Sequence, residues 1–218
     1  AAEQRDLTKL PTQARIVVIG GGIVGCSVAY HLAKMGLRDV VLVERDKLTS
    51  GTTWHAAGLV AGLRSSEPLT TLIKYSGDLY ANLETETGIG TDYRRTGGLV
   101  LAGSSDRFHE LRRLCSTARS LGVEAQILSP SETCEKWPLL STDDLSGSLW
   151  IPGAGQTNPS DTATALARGA RQHGATVVEG CAVTEIRSEN GSVSGVMTDS
   201  GFIRCEIVAL CAGMWSRQ

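Results

Sequence analysis

Three glycines and one acid, at fixed spacing, are the first residues in this sequence that could do chemistry. Gly20, Gly22 and Gly25 form the pattern Gly-x-Gly-x-x-Gly. The first glycine permits a tight turn, the second lets backbone approach a diphosphate, and the third lets a helix pack closely on the preceding strand. The unpaired N–H groups of that helix and the positive end of its dipole then face negative charge. Glu44 lies nineteen residues after Gly25. There its carboxylate can accept hydrogen bonds from both hydroxyls of a ribose and would repel a 2′-phosphate. A glycine-rich turn alone is weak evidence. With an apolar strand before it, a helix after it and an acid at this distance, it predicts a dinucleotide site. Nicotinamide and flavin dinucleotides share the pattern, so it does not choose between them.

The choice comes from the segment after the acid, 48–59. A nicotinamide domain needs no Gly/Thr/Ala loop directly after the ribose acid. FAD does, because its ribityl chain and ring must run on from the diphosphate. Here the sequence resembles the D-amino-acid-oxidase-like FAD superfamily, and within it the dimethylglycine dehydrogenase and sarcosine dehydrogenase family. The residues that carry the resemblance are Gly20-Gly21-Gly22-Ile23-Val24-Gly25, Val43-Glu44-Arg45 and Gly51-Thr52-Thr53-Trp54-His55-Ala56-Ala57-Gly58-Leu59. The closing run Ala209-Leu210-Cys211-Ala212-Gly213-Met214-Trp215 is similar too.

The resemblance implies bound FAD, with the His55 imidazole bonded covalently to the flavin 8α-methyl carbon. A neutral imidazole nitrogen is a nucleophile near neutral pH. It further implies that Val183 meets the adenine and that Ala212 and Gly213 turn back under the cofactor. Trp54 would cover the flavin or merely pack. The implied reaction is oxidation of an N-methyl group on a small amino acid such as dimethylglycine or sarcosine, with hydride passing to flavin N5. Electrons would go on to an electron-transfer flavoprotein or to oxygen, and the one-carbon unit could pass to tetrahydrofolate in the full-length protein. An amino-acid substrate needs a cation for its carboxylate. Arg64 is the candidate, and a solvated surface arginine is the other reading of it. No general base can be named. Relatives continue well past residue 218, so the isolated chain is expected to bind FAD poorly and to turn over little amine. Two rivals stay open. One is another FAD amino-acid oxidase or dehydrogenase of the same fold. The other is a non-catalytic protein resembling the regulatory subunit of pyruvate dehydrogenase phosphatase, through Leu10-Pro11-Thr12-Gln13-Ala14 and the region after Ser27. Such regulatory proteins lack the flavin-linking histidine, so His55 favours the enzyme.

The elements that must position these residues are legible around them. Residues 16–19 are an apolar, β-branched run, as a buried parallel strand requires. Over 23–35 Val24, Val28, Ala29, Leu32 and Ala33 recur at helical spacing, and Gly36 stops the helix. Residues 40–43 are a second buried strand ending at Glu44, which completes a βαβ unit. Leu72, Ile73, Ser76, Leu79, Tyr80 and Leu83 mark one face of an amphipathic helix. A strand follows at 99–101, and Phe108, Leu111, Leu114, Cys115, Ala118 and Leu121 mark another helix face. Ser129 opens a helix that Pro138 stops, and a short strand follows at 149–151. A helix runs from Asn158 to about His173, with Leu166, Ala167 and Ala170 inward. Residues 177–178, 183–186, 193–197 and 202–205 read as antiparallel strands, with tight turns at Asn190-Gly191 and Ser200-Gly201. Residues 207–211 form a last buried strand. The fold class is α/β. A Rossmann-like FAD-binding domain, with a parallel sheet and a β-meander, takes 14–88 and 156–218. Residues 89–155 form part of a second, mixed α+β substrate domain, and 1–13 an N-terminal extension.

Composition excludes other classes. With 41% hydrophobic and 20% charged residues the chain can bury a core and is not a disordered tail. A net charge of -2 without a basic stripe speaks against nucleic acid. The most apolar stretch, 16–26, is broken by glycines and too short to span a membrane. The six cysteines contain no CxxC pair, so no metal site is expected and they read as reduced thiols. A bacterial cytoplasm and a mitochondrial matrix both fit.

Overall fold

The computed structural model describes residues 10–64 and 66–217. Residues 1–9 of the expected N-terminal extension lie outside the described residues. In chain order the elements are β1 (Ile16–Ile19), α1 (Ile23–Lys34), β2 (Val40–Val43), β3 (Leu59–Val60), α2 (Glu67–Thr87) and β4 (Gly98–Ala102). They continue with α3 (Ser105–Ser120), β5 (Gln126–Leu128), α4 (Pro130–Lys136), β6 (Gly147–Ile151), β7 (Gly155–Gln156) and α5 (Pro159–Gln172). The last are β8 (Thr176–Val178), β9 (Val183–Glu189), β10 (Ser192–Thr198), β11 (Gly201–Arg204) and β12 (Ile207–Leu210). Single 3-10 turns occur at Thr53–His55 and Gly213–Trp215.

The chain divides into two compact units. The first runs to Ala57 and adds Leu83–Thr91 and the chain from Asn158 onward; the second is Gly58–Asn82 and Asp92–Thr157. Residues 58–82, expected with the cofactor domain, therefore group with the other unit. The reason is local pairing: β3 pairs with β7, and the Arg64 backbone is tied to Thr70 at the start of α2.

The first unit is built on a parallel sheet of order β12-β1-β2-β8, with Ile16 opposite both Ile207 and Val40. Every residue of β1 and β2 is buried because the sheet is covered on both faces. Strand alternation sorts the side chains. Val17, Ile19, Val41, Val43 and Val178 pack against Val196 and Ile203 of the antiparallel β11-β10-β9 meander and against Cys205 just after it. Helices α1 and α5 pack on each other; a Cβ on Gly169 would stand 2.7 Å from the Tyr30 ring, so a glycine there permits the contact. The buried face of α1 is Gly25, Cys26, Ala29, Tyr30 and Ala33, whereas Val24 is 61% exposed.

Two strands differ from expectation. Residues 177–178 were read with the antiparallel group, yet β8 pairs in parallel with β2 and closes the main sheet. A run of two valines carries no alternation to tell the two apart. The strand at 207–211 is not fully buried: β12 lies at the sheet edge, and Ile207 and Leu210 are 48% and 47% exposed.

A polar hub joins three helices in this unit. The Tyr30 hydroxyl lies 2.8 Å from both oxygens of Glu86, and Lys34 Nζ and His173 Nε2 reach the same carboxylate at 2.9 and 3.0 Å. Burial alone would push the Glu86 carboxyl up. Hydrogen bonds from Lys34, His173 and Tyr30 outweigh it and bring the group down to about 2.

In the second unit an antiparallel sheet of order β4-β6-β5 carries α3 on a core of Leu111, Cys115, Ala118, Leu149 and Ile151. Ser129 and Glu132 form a reciprocal cap on α4. The buried Thr133 and Ser148 hydroxyls bond each other at 2.7 Å. Strands β3, β5 and β7 have two or three residues each, too few for a period to show. Leu72 was expected on the inward face of α2 but is 59% exposed.

The hub predicts a pH signature. A carboxyl held below its ordinary value stabilises the folded state above that value and loses the effect as pH falls through the folded-state value. Glu86 should thus add stability above about 4.5 and lose it on the way to about 2. Because the carboxylate is partly exposed, Glu86→Gln should cost about 1 kcal/mol, or about 2–4 °C in melting midpoint near neutral pH. Melting curves at stepped pH test this: the gap between variant and parent should shrink as pH falls through that window, and a constant gap would contradict it.

Candidate cofactor site

The site begins where the glycines of the turn meet other backbone. Gly20 has a φ of +108°, and a Cβ there would stand 2.5 Å from the Cys211 carbonyl oxygen. A Cβ on Gly25 would stand 1.9 Å from the carbonyl oxygen of Gly20. No side chain fits at either place. These two contacts bring the end of β1, the start of α1 and the residue after β12 to one point.

Glu44, at the end of β2, is held by both oxygens. The Gly21 N–H donates to Oε2 at 2.6 Å and the Asp46 N–H to Oε1 at 3.0 Å. Each carboxylate oxygen keeps a further lone pair for a ligand hydroxyl. The N-cap of α1, Gly22, offers no side chain. Its place is taken from a distance: the Ile23 N–H donates to Thr53 Oγ1 at 3.0 Å. One of the N–H groups expected to face a phosphate is therefore already satisfied.

A cleft of about 320 Å³ opens beside these groups. Of the residues expected to bind cofactor, Gly20, Gly22, Glu44 and Arg45 line its first part. Gly51, Thr52 and Thr53 line its loop side, and Val183, Ala212 and Gly213 the remainder. Gly25 stands behind the turn, and Ile23 and Val24 are not part of the lining. Trp54, His55, Ala56 and Ala57 leave the cleft as an exposed run. The His55 ring stacks on Trp54, with centroids 3.7 Å apart and planes at 38°. Gly58 and Leu59 belong to the second unit, Leu59 being 78% exposed. Arg64 is exposed in the same unit.

The cleft also holds residues that the sequence reading missed. Trp215 lines it, and the Arg45 guanidinium lies 4.5 Å from the Trp215 ring centroid, within cation–π range. A Cβ on Gly51 would come 3.3 Å from that ring, so the loop's glycine makes room for an aromatic 164 positions later. Ser50, Asp46 and Cys211 line it too, with Ile19 and Val43 from the strand ends. Asp46 had a local signal, being two residues beyond the ribose acid. Trp215 had only its place after the Ala-Gly turn. Burial first, and the Glu44 carboxylate second, push the Cys26 thiol up to about 12, and burial raises Cys211, so both shifts favour the protonated thiol. Among the described residues no group of three or more His, Cys, Asp or Glu side chains is placed to hold a metal ion. No described helix is long and apolar enough to cross a membrane.

A family model described as FAD dependent oxidoreductase matches residues 15–218. The chain belongs to the FAD dependent oxidoreductase family. It is 44% identical over 213 residues to the mitochondrial sarcosine dehydrogenase of Mus musculus, covering 95% of this chain and 23% of that protein. It is 42% identical over 207 residues to the mitochondrial pyruvate dehydrogenase phosphatase regulatory subunit of Mus musculus, covering 95% and 24%. The crystal structure of L-proline dehydrogenase from P. horikoshii matches with a TM-score of 0.89 at 30% identity, over 95% of this chain and 55% of that one. The chain thus spans about a quarter of the length of these curated relatives. For a member of this FAD family the cleft's chemistry fits the group. It has a glycine turn with room for a diphosphate, an oriented carboxylate that could accept from ribose hydroxyls, and a loop that continues beyond them.

Steric exclusion at the turn is directly testable. In Gly25→Ala the new methyl meets a backbone carbonyl that cannot rotate away, at a cost of about 3 kcal/mol or more. That is a fall of about 6 °C or more in melting midpoint, or loss of folded protein. Gly103→Ala, where nothing lies within 4 Å, should melt with the parent. Equal melting of the two variants would refute the close-approach argument.

Proposed function

We propose that the protein is a flavin-dependent amine oxidoreductase that oxidises the N-methyl C–N bond of a small secondary or tertiary amino acid, sarcosine or dimethylglycine. The observation that carries this reading is the run from the Glu44 end of the cleft through Gly51, Thr52 and Thr53 to an exposed His55, in a chain 44% identical to a sarcosine dehydrogenase.

Bound FAD would supply the two-electron oxidation of the amine. The chain's own residues do the rest. The Gly20–Gly25 turn gives backbone to the diphosphate, with the start of α1, Ile23 and Val24, behind it. Glu44 accepts from the ribose hydroxyls, and Arg45 adds positive charge at the cleft wall. Gly51, Thr52 and Thr53 flank the linking chain, and Trp54, His55, Ala56, Ala57, Gly58 and Leu59 continue toward the ring. His55 offers an imidazole nitrogen for a covalent bond to the 8α carbon. Val183 takes the adenine side, and Ala212 and Gly213 underlie the cofactor. Arg64 supplies a cation for the substrate carboxylate. Electrons leave to an electron-transfer flavoprotein or to oxygen, and the one-carbon unit can pass to tetrahydrofolate in the full-length protein. The mitochondrial sarcosine dehydrogenase relative supports the mitochondrial matrix as the compartment, with a bacterial cytoplasm as the alternative.

A second reading rests on the 42% identity to the phosphatase regulatory subunit. In it the cleft is kept without amine turnover.

Anaerobic addition of sarcosine or dimethylglycine to the flavin-loaded full-length protein separates the two. The enzyme reading predicts bleaching of the flavin absorbance with one of these amines. In Arg64→Ala the concentration needed should rise about 10-fold or more, as expected when a charge-assisted carboxylate contact is lost. A loaded full-length protein that neither amine bleaches, at any concentration, would sink the N-methyl amino acid reading.

A further inference from the structure

We infer that Thr53 is the positioning residue for His55: its hydroxyl fastens the histidine-bearing turn to the first N–H of helix α1. The inference rests on the covalent reading of His55 given above. Three observations carry it. Thr53 is 6% exposed, whereas Trp54 and His55, the two residues that follow it, are exposed. Its Oγ1 accepts from the Ile23 N–H at 3.0 Å across thirty residues of chain. The turn itself is slight, with Ala56 N–H donating to the Thr53 carbonyl at 3.1 Å and His55 N–H to Thr52 at 3.2 Å. A single 3-10 turn of this kind does not hold its own geometry.

The hydroxyl is suited to the place. Gly22 caps α1 with no side chain, so the Ile23 N–H would otherwise be an unsatisfied group at a helix start. A Cβ on Gly22 would lie 3.1 Å from Thr53 Oγ1, so the glycine that serves the diphosphate also admits the threonine. Thr53 Oγ1 accepts from Ile23 and keeps its own proton to donate, and the residue lines the cleft. The helix that faces the diphosphate and the turn that carries the nucleophile thus share one hydrogen bond. Trp54, stacked on the His55 ring, limits the ring's rotation once the backbone is set.

Position matters for the bond being made. Joining the imidazole nitrogen to the 8α carbon forms one N–C bond and breaks one C–H and one N–H bond. The two protons and two electrons pass to the flavin ring, and dioxygen then takes them, giving hydrogen peroxide. A nucleophile displaced by an ångström loses roughly a hundredfold in rate.

The experiment follows covalent attachment over time in flavin-free full-length protein mixed with saturating FAD, read as flavin fluorescence in denatured protein bands. Parent and Thr53→Ser should gain fluorescence at rates within about twofold of each other. Thr53→Val should be slower by about tenfold or more, with the noncovalent FAD it takes up measured alongside. Thr53→Ala replaces it if the valine variant does not fold. His55→Ala should stay dark. A dark parent band would overturn the covalent reading and this role with it. A fluorescent parent with Thr53→Val or Thr53→Ala equally fast would overturn the Thr53 inference alone.

Discussion

Backbone touches backbone at the end of β1, and the rest of the cofactor unit depends on that contact. The position of a Gly25 Cβ is occupied by the Gly20 carbonyl, and that of a Gly20 Cβ by the Cys211 carbonyl. Only two glycines let the helix start directly at the strand's end and let the residue after β12 close over both. The parallel register then follows, with β12, β1 and β2 level at Ile207, Ile16 and Val40. Their loop ends open on one side, where ligands of parallel α/β sheets bind.

The cleft on that side is preorganised by hydrogen bonds within the chain. Glu44 has its carboxylate fixed by the Gly21 and Asp46 amides. Thr53 fixes the following loop to α1. All three bonds lie within the chain, and groups held in this way lower the ordering cost of binding. The Cys26 thiol, pushed up by burial beside the same turn, adds packing and no reactivity.

Much of this was legible because sterics write it locally. The Gly20, Gly22, Gly25 spacing, the two valine-rich strands and Glu44 all fall within one βαβ unit, where neighbours in sequence are neighbours in space. What was not legible depends on partners far along the chain. The Thr53 bond to Ile23 and the room Gly51 makes for Trp215 have no period and no motif. The edge position of β12 is a matter of strand order, which its four apolar residues cannot reveal. Val24 shares the helical spacing of the apolar residues in α1 yet is exposed, while Tyr30 is buried with its hydroxyl on Glu86. Residues 58–82 changed unit because a two-residue strand, β3, pairs across to β7. The family, read from the motifs, is the one the family model matches.

As proposed, this cleft grips the adenine-nucleotide half of FAD. The most direct test is an equilibrium titration of flavin-free full-length protein with FAD and, separately, with FMN, which carries the same ring without that half. The account predicts that FAD binds at least about a hundredfold more tightly, a difference of roughly 2.7 kcal/mol. Equal affinities would mean that the Gly20–Gly25 turn, Glu44 and Val183 contribute nothing to binding, and the account would be wrong.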